Sequence, residues 1–429
     1  MTKPDKPSPV AGSDVPPLSR RTLLGATVAV ATAGRARGAA PTSSPDRWDV
    51  VVVGAGVFGA WTAWDLRRRG QRVLLIDAFG PANARASSGG ESRMTRSIYG
   101  SDLIYTRMAV ESLEDWRWLS GRTGLPILHP TGVLMFFQRQ EAFAAQSLEV
   151  HRRLGLPLEV FERAELRRRY PQVRWDDIEF GLFEPGFGAL MARRAVQSLV
   201  AEFVAAGGEY RQTAIEAPPA GTSTIEALRT KSGDLLRAGK FVFACGPWLP
   251  SLLPEVLGSK IFPTRQEVFF FATPAGDGRF LPQHLPGWAD FNAGDIYYGF
   301  PDLETRGFKI ANDRHGPRFD PDTGDRQVSA AGLADVRAYL QRRFPELASQ
   351  PLVESRVCQY ENSSNGDLLI DRHPHFGNAI VVGAGSGHGF KHGPAVGRYA
   401  ASLVSGQLTT VQPRFSLAAK GEIQDRKVH

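Results

Sequence analysis

"WDVVVVGAGVFGAWTAWDLRRRGQRVLLIDAFGP" (Trp48–Pro81) decides how this chain folds. DVVVVG is a continuous apolar, β-branched run, the composition of a strand buried on both faces. Gly54, Gly56 and Gly59 follow as G-x-G-x-x-G. In a dinucleotide site the first glycine permits a tight turn, the second lets a pyrophosphate approach the backbone, and the third lets helix and strand pack closely. The pattern predicts a helix from about Val57 that ends at Gly70, a residue suited to the left-handed position past a helix end. A second strand, RVLLID, stops at Asp77, 23 residues after Gly54, where a carboxylate can bind an adenosine ribose hydroxyl. These elements in this order predict an α/β fold with a Rossmann-like dinucleotide-binding domain.

The glycine pattern alone serves NAD and FAD alike. The loop ANARASSGGESRMTRSIYG (Ala82–Gly100) continues from the second strand with small residues and arginines, and such a loop can run along an extended flavin. The alternative is an ordinary surface loop with solvated arginines.

Further along, ALMARRAVQSLVAEFVAAGG (Ala189–Gly208) reads as an amphipathic helix closed by glycine. Strands are expected in EYRQTAIEA, TIEALRT and GKFVFACG; the last ends at Cys245, read as a small buried side chain rather than a reactive thiol. From about Phe262 to Phe344 the aromatics alternate in EVFFFAT and DIYYGFP, which predicts antiparallel sheet in a second, substrate-covering domain. NAIVVGAGSGHGFKHGPAVGRYAASLVSG (Asn378–Gly406) then repeats strand, glycine loop and helix, with Pro394 at the helix start. Such a helix N-terminus can stabilise negative charge on a reduced flavin.

Composition sets the outer bounds. With 42% hydrophobic and 22% charged residues in 429, the chain is ordinary globular material with core enough for two domains. Its net charge of +7 falls to +3 once residues 1–40 are set aside, too little to argue for nucleic acid. Arginine runs at Arg67–Arg69 and Arg167–Arg169 read as solvated helix faces. Two cysteines form no C-x-x-C pair and nine histidines no H-E-x-x-H, so no metal site is expected. SRRTLLG (Ser19–Gly25) sets paired arginines before an apolar run too short to span a bilayer, followed by ATA (Ala31–Ala33). That order resembles a twin-arginine export signal and predicts a periplasmic or secreted protein.

The most specific stretches are CQYEN…LLIDRHP within residues 356–374, GSGHGFK, YYGFP and RGFKIAND…FDPDT. Together they resemble the D-amino-acid oxidase superfamily of flavoproteins, most closely its monomeric sarcosine oxidase and N-methyltryptophan oxidase branch, from Trp48 to about Gly406. The resemblance implies a discontinuous FAD-binding domain of glutathione-reductase type (48–127, 186–258 and 352–412) and a mainly antiparallel-sheet substrate domain (128–185 and 259–351). These are flanked by a signal peptide (1–33), a linker (34–47) and a C-terminal tail (413–429). The C-x-Y-x-N cysteine, Cys358, lies 33 residues before Lys391 and in this branch carries FAD through a thioether to the 8α-methyl group. A free thiol or a disulfide to Cys245 is the alternative.

By the same resemblance, Arg96 and Lys391 bind a substrate carboxylate, Lys309 activates O₂, Arg93 sits beside the flavin, and Tyr298 and Tyr360 line the substrate cavity. Gly54, Gly56, Val57, Phe58, Gly59, Asp77, Ser88, Arg93, Ile215, Cys358, Gly387, His388, Gly389 and Lys391 are the expected cofactor contacts. Two positions depart from the branch: Ser101 replaces an acid and Asp313 a histidine, which argues against sarcosine itself. The expectation is a monomeric, covalently flavinylated oxidase of a secondary amine or N-substituted amino acid. It forms an imine and reduces O₂ to hydrogen peroxide. The alternatives are an exported dehydrogenase feeding a quinone or carrier, and a flavin-binding protein without turnover.

Overall fold

The apolar run is strand β1, Arg47–Val53, and its neighbours explain why it does not alternate. Val50 and Val52 enter one hydrophobic core while Val51 and Val53 enter another on the opposite face. Each fully buried valine contributes about 1.5–3 kcal/mol, so both faces of β1 stabilise the sheet. The computed structural model describes residues 47–219, 221–292 and 295–424; the expected signal peptide and all of the linker but residue 47 lie outside these.

After β1 come helix α1, Val57–Arg68, and strand β2, Val73–Asp77, parallel to β1 with Val53 opposite Ile76. A seven-stranded sheet grows from this unit. Its order is Leu369–Arg372, Ala379–Gly383, Leu235–Phe243, β1, β2 and Glu209–Gln212, with Ala227–Arg229 paired to Leu235–Phe243. All neighbours along that path are parallel except Leu369–Arg372 with Ala379–Gly383. Helix Gly393–Val404 closes on α1 so tightly that a Cβ on Gly397 would stand 2.6 Å from the Trp61 carbonyl carbon.

An eight-stranded sheet holds the aromatic segments. Its order is Leu352–Ser363, Ile261–Phe271, Phe308–Asn312, Asp295–Phe300, Gly287–Asn292, Val133–Phe137, Phe180–Glu184 and Glu159–Glu162. It is antiparallel apart from the Gly287–Asn292 and Val133–Phe137 pair. A small antiparallel sheet joins Ser92–Thr95, Gly188–Met191 and Leu128–His129. Among the described residues no helix is long and apolar enough to cross a membrane.

Three local expectations change. Leu352–Ser363, grouped above with the nucleotide-binding segments, pairs along its length with Ile261–Phe271, because alternating burial in its first half suits an edge strand. Arg67 and Arg69 are half-buried and tied down, while Arg68 is exposed: Arg67 donates to the Ala206 carbonyl at 2.7 Å and Arg69 to Asp65 and Ser402 at 2.7 and 3.1 Å. The C-terminal segment is anchored, with Phe415 buried and Arg414 ion-paired to Asp102 at 2.6 Å and Asp367 at 2.5 Å.

Candidate active site

At the carboxyl ends of the parallel strands, where open α/β sheets bind ligands, lies a cavity of about 630 Å³. Gly54, Gly56, Val57, Phe58, Asp77, Ser88, Arg93, Ile215, Cys358, Tyr360, Gly387 and Gly389 all line it. Gly54 makes the turn at φ +102°, where a Cβ would meet the Ala244 carbonyl oxygen at 2.4 Å. Gly59 lets the helix start lie on that turn: its Cβ would stand 1.8 Å from the Gly54 oxygen. Gly56 instead presents bare backbone, with only Ser88 Oγ near a would-be Cβ, at 3.5 Å. Ser88 Oγ accepts from the Val57 N–H at 3.1 Å and so fixes the helix start.

Asp77 closes the nucleotide end. Its carboxylate accepts from the N–H groups of Ala55 (2.8 Å), Phe79 (2.9 Å) and Gly80 (3.0 Å), which orient it while burial pushes its pKa up. At the other end Arg93 donates to the Ser87 carbonyl at 2.8 Å and to Cys358 Sγ at 3.3 Å. Among the described residues Cys358 and Cys245 form no disulfide, so that alternative fails. Burial is the main cause pushing the Cys245 thiol up, which suits an unreactive side chain.

Three buried cations stand around this end of the cavity. Lys309, 2% exposed, donates from Nζ to the Ser92 carbonyl at 2.6 Å and to Ser92 Oγ at 3.2 Å. Burial, then Arg93, holds its pKa well below the usual lysine range. Lys391 is 4% exposed and donates to Tyr99 Oη at 2.9 Å and to the His388 carbonyl at 2.8 Å. Burial, then Arg96, lowers it likewise. The Arg96 guanidinium lies 4.3 Å from the centre of the Tyr99 ring and donates to the Ile98 carbonyl. Among the described residues neither Arg96 nor Lys391 forms a salt bridge with a carboxylate, although each is at least nine-tenths buried.

Tyr99, which sequence reasoning missed, is the hub of this cluster. His388 Nε2 lies 3.0 Å from the Gly366 carbonyl and must donate to it, which leaves Nδ1 to accept the Tyr99 O–H at 3.2 Å. The phenol oxygen then accepts from Lys391 and from His392 Nε2 at 2.8 Å, using its full capacity. Burial and Lys391 hold His388 neutral, its pKa down to about 3. Arg96, Lys309, His388 and Lys391 flank the 630 Å³ cavity without lining it.

The two predicted tyrosines meet. Tyr298 Oη lies 3.4 Å from Tyr360 Oη, and Tyr360 donates to Asp313 Oδ1 at 2.7 Å. Gly387 permits this, since a Cβ there would stand 2.7 Å from the Tyr360 ring. Of the two departures, Asp313 is thus in the cluster, whereas Ser101 is exposed.

A glycine-turned cavity at the ends of a Rossmann-type sheet, flanked by buried cations, defines a dinucleotide-dependent oxidoreductase. Residues 49–403 match the family described as FAD dependent oxidoreductase (DAO), and the chain belongs to it. It is 30% identical over 362 residues to monomeric sarcosine oxidase of Bacillus sp. (strain B-0618), covering 83% of this chain and 92% of the relative. To N-methyl-L-tryptophan oxidase of Citrobacter koseri it is 29% identical over 380 residues, covering 86% and 97%. Among solved structures, L-proline dehydrogenase from P. horikoshii superposes with a TM-score of 0.76 at 19% identity, covering 87% of this chain and 97% of that one.

The residues fit FAD. Ser87 Oγ and Gln359 Oε1 are buried beside the cavity with no hydrogen-bond partner among the described residues, and bare backbone at Gly56 faces it. Asp77, Gly54 and Gly56 would hold the dinucleotide, with Arg93 and the Gly387–Gly389 loop near its flavin.

Proposed function

We propose that this enzyme oxidises an N-substituted amino acid to its imine, with O₂ as electron acceptor and hydrogen peroxide as product. The observation that carries the reading is the pair Arg96 and Lys391: two buried cations with no salt bridge to a carboxylate among the described residues, both set against Tyr99. Buried charge is costly unless paired, so such a pair is poised for an anionic group, and a guanidinium can clamp a carboxylate bidentately. FAD, when bound, would supply the acceptor for a hydride from the substrate carbon next to nitrogen and a route for the electrons to O₂. Arg96 and Lys391 bind and orient the substrate carboxylate. Tyr298 and Tyr360 exclude water beside it. Lys309 places a positive charge where reduced oxygen develops negative charge.

Further parts belong to this proposal. Cys358 carries FAD through a thioether, a bond suited to a cofactor that must stay with an exported protein. Residues 1–33 direct export by the twin-arginine route, and the enzyme works as a monomer. The nucleotide-binding and substrate-covering segments divide the chain into two domains. Asp313 beside Tyr360 argues against sarcosine as substrate.

The test is an anaerobic screen of N-methyl, cyclic secondary and glycated amino acids for bleaching of the flavin absorbance, followed by air. Bleaching and then peroxide are expected. Bleaching without oxygen-dependent recovery would favour a dehydrogenase, and no bleaching by any of the three classes would remove the amine reading.

A further inference from the structure

The strand that carries Cys358 and Tyr360 also carries a carboxyl that the chemistry above does not use. Glu361 lines the cavity. Only 6% of its surface is exposed, and Oε1 has no hydrogen-bond partner among the described residues. The surroundings leave room for it: a Cβ on Gly383 would stand 2.4 Å from Oε1 and one on Gly246 3.9 Å from Oε2. Burial pushes this carboxyl up to about 8, with the amides of Ala384 and Gly385 acting in the other direction. Cys245, from the facing strand end, is the titratable group that feels it in turn.

Charge on the cavity wall explains which form can serve. Asp77, Glu216, Asp322 and Glu361 stand against Arg93 and Lys231. FAD adds an anionic pyrophosphate. An ionised Glu361 would repel it, and would still have no cation beside it. A neutral carboxyl has an O–H to give. We infer that Glu361 holds the bound FAD as a carboxylic acid, donating its O–H to an oxygen of the cofactor.

The inference rests on FAD binding and does not depend on the thioether. It is tested in a Cys358→Ala background, where FAD can be stripped and titrated back, followed by quenching of flavin fluorescence. The dissociation constant should be flat at neutral pH and rise above about pH 8, approaching ten-fold per pH unit as one proton is lost. Cys358→Ala/Glu361→Gln, which keeps a donor that cannot ionise, should bind FAD with an affinity independent of pH over that range. A flat profile in the Cys358→Ala background, or the same rise in the Gln variant, overturns the inference. Infrared difference spectra of loaded wild-type protein and Glu361→Gln give a second reading. A protonated-carboxyl band at neutral pH, missing from the variant, supports the assignment, and its absence from wild type overturns it.

Discussion

Tyr99 and Lys391 share a hydrogen bond of 2.9 Å in which the phenol oxygen accepts from the ammonium. That bond and the His388 carbonyl are dipoles, not a counter-ion, so burial holds the Lys391 pKa well below its usual range. A bound carboxylate raises it again. Affinity for a carboxylate analogue should therefore fall as pH rises through the ligand-free pKa of Lys391, and binding should take up a proton. Calorimetry in buffers of different ionisation enthalpy measures that uptake. Lys391→Met should abolish it and weaken binding about 10- to 100-fold, the worth of a charge-assisted hydrogen bond.

Lys309 calls for a different readout. It is fixed by Ser92 rather than Tyr99, on the side of Arg93 and Cys358. Lys309→Met should slow reoxidation of reduced flavin by on the order of 10²–10³ and leave reduction by substrate nearly unchanged. Stopped-flow records the two half-reactions apart. Wild-type reoxidation in the variant would mean that another cation serves oxygen or that O₂ is not the acceptor.

Wild-type protein denatured in acid should keep its flavin on the peptide that spans Cys358. Cys358→Ala should release all flavin on denaturation yet bind it when folded, since the Gly54–Asp77 region is untouched. Complete release from wild-type protein made in excess flavin would end the thioether assignment.

His373 and His388 make the fold sensitive to acid. His373 Nδ1 accepts from the N–H groups of His375 and Phe376, both at 3.2 Å, and burial holds its pKa down to about 4. His388 is held down to about 3. Unfolded histidine titrates near pH 6.5, so below that pH the unfolded chain binds more protons than the folded one. Stability is whole above about pH 6.5 and falls with pH down to the folded values, by on the order of 1 kcal/mol per pH unit for each ring. Urea midpoints measured from pH 7 to pH 5 should show the slope, and His388→Gln should reduce it.

Changing Arg20 and Arg21 to Lys should leave the precursor inside the cell. Fractionation with an antibody reads this directly, and unchanged export would discard the twin-arginine route while leaving the enzymology intact.

Where one residue type does one job, the sequence was a good guide. Gly54 and Gly59 were legible because a backbone contact excludes a side chain, and the Val50–Val53 run because both its faces are buried. Cys358, Tyr360 and Tyr298 were named through the family resemblance; Cys358 and Tyr360 line the cavity, and Tyr298 reaches Tyr360. Tyr99, Ser92 and Glu361 were not legible. Each takes its role from a partner far along the chain: Lys391 for Tyr99, Lys309 for Ser92, and the Gly383–Gly385 loop for Glu361. The strand Leu352–Ser363 was misplaced because its neighbour in sequence belongs to one sheet and its hydrogen-bonded neighbour to the other.

That strand has a mechanical consequence. Gly54 and Asp77 belong to the end of the seven-stranded sheet, while Cys358 belongs to the eight-stranded one. A flavin nucleotide tethered at Cys358 and gripped at Gly54 would act as a rivet between the two. Neither sheet could then melt alone without wrenching the cofactor from its neighbour, so heat should collapse both in a single cooperative event. Cutting the tether by Cys358→Ala would let them part in sequence, and the flavin signal would vanish at a lower temperature than the helical signal.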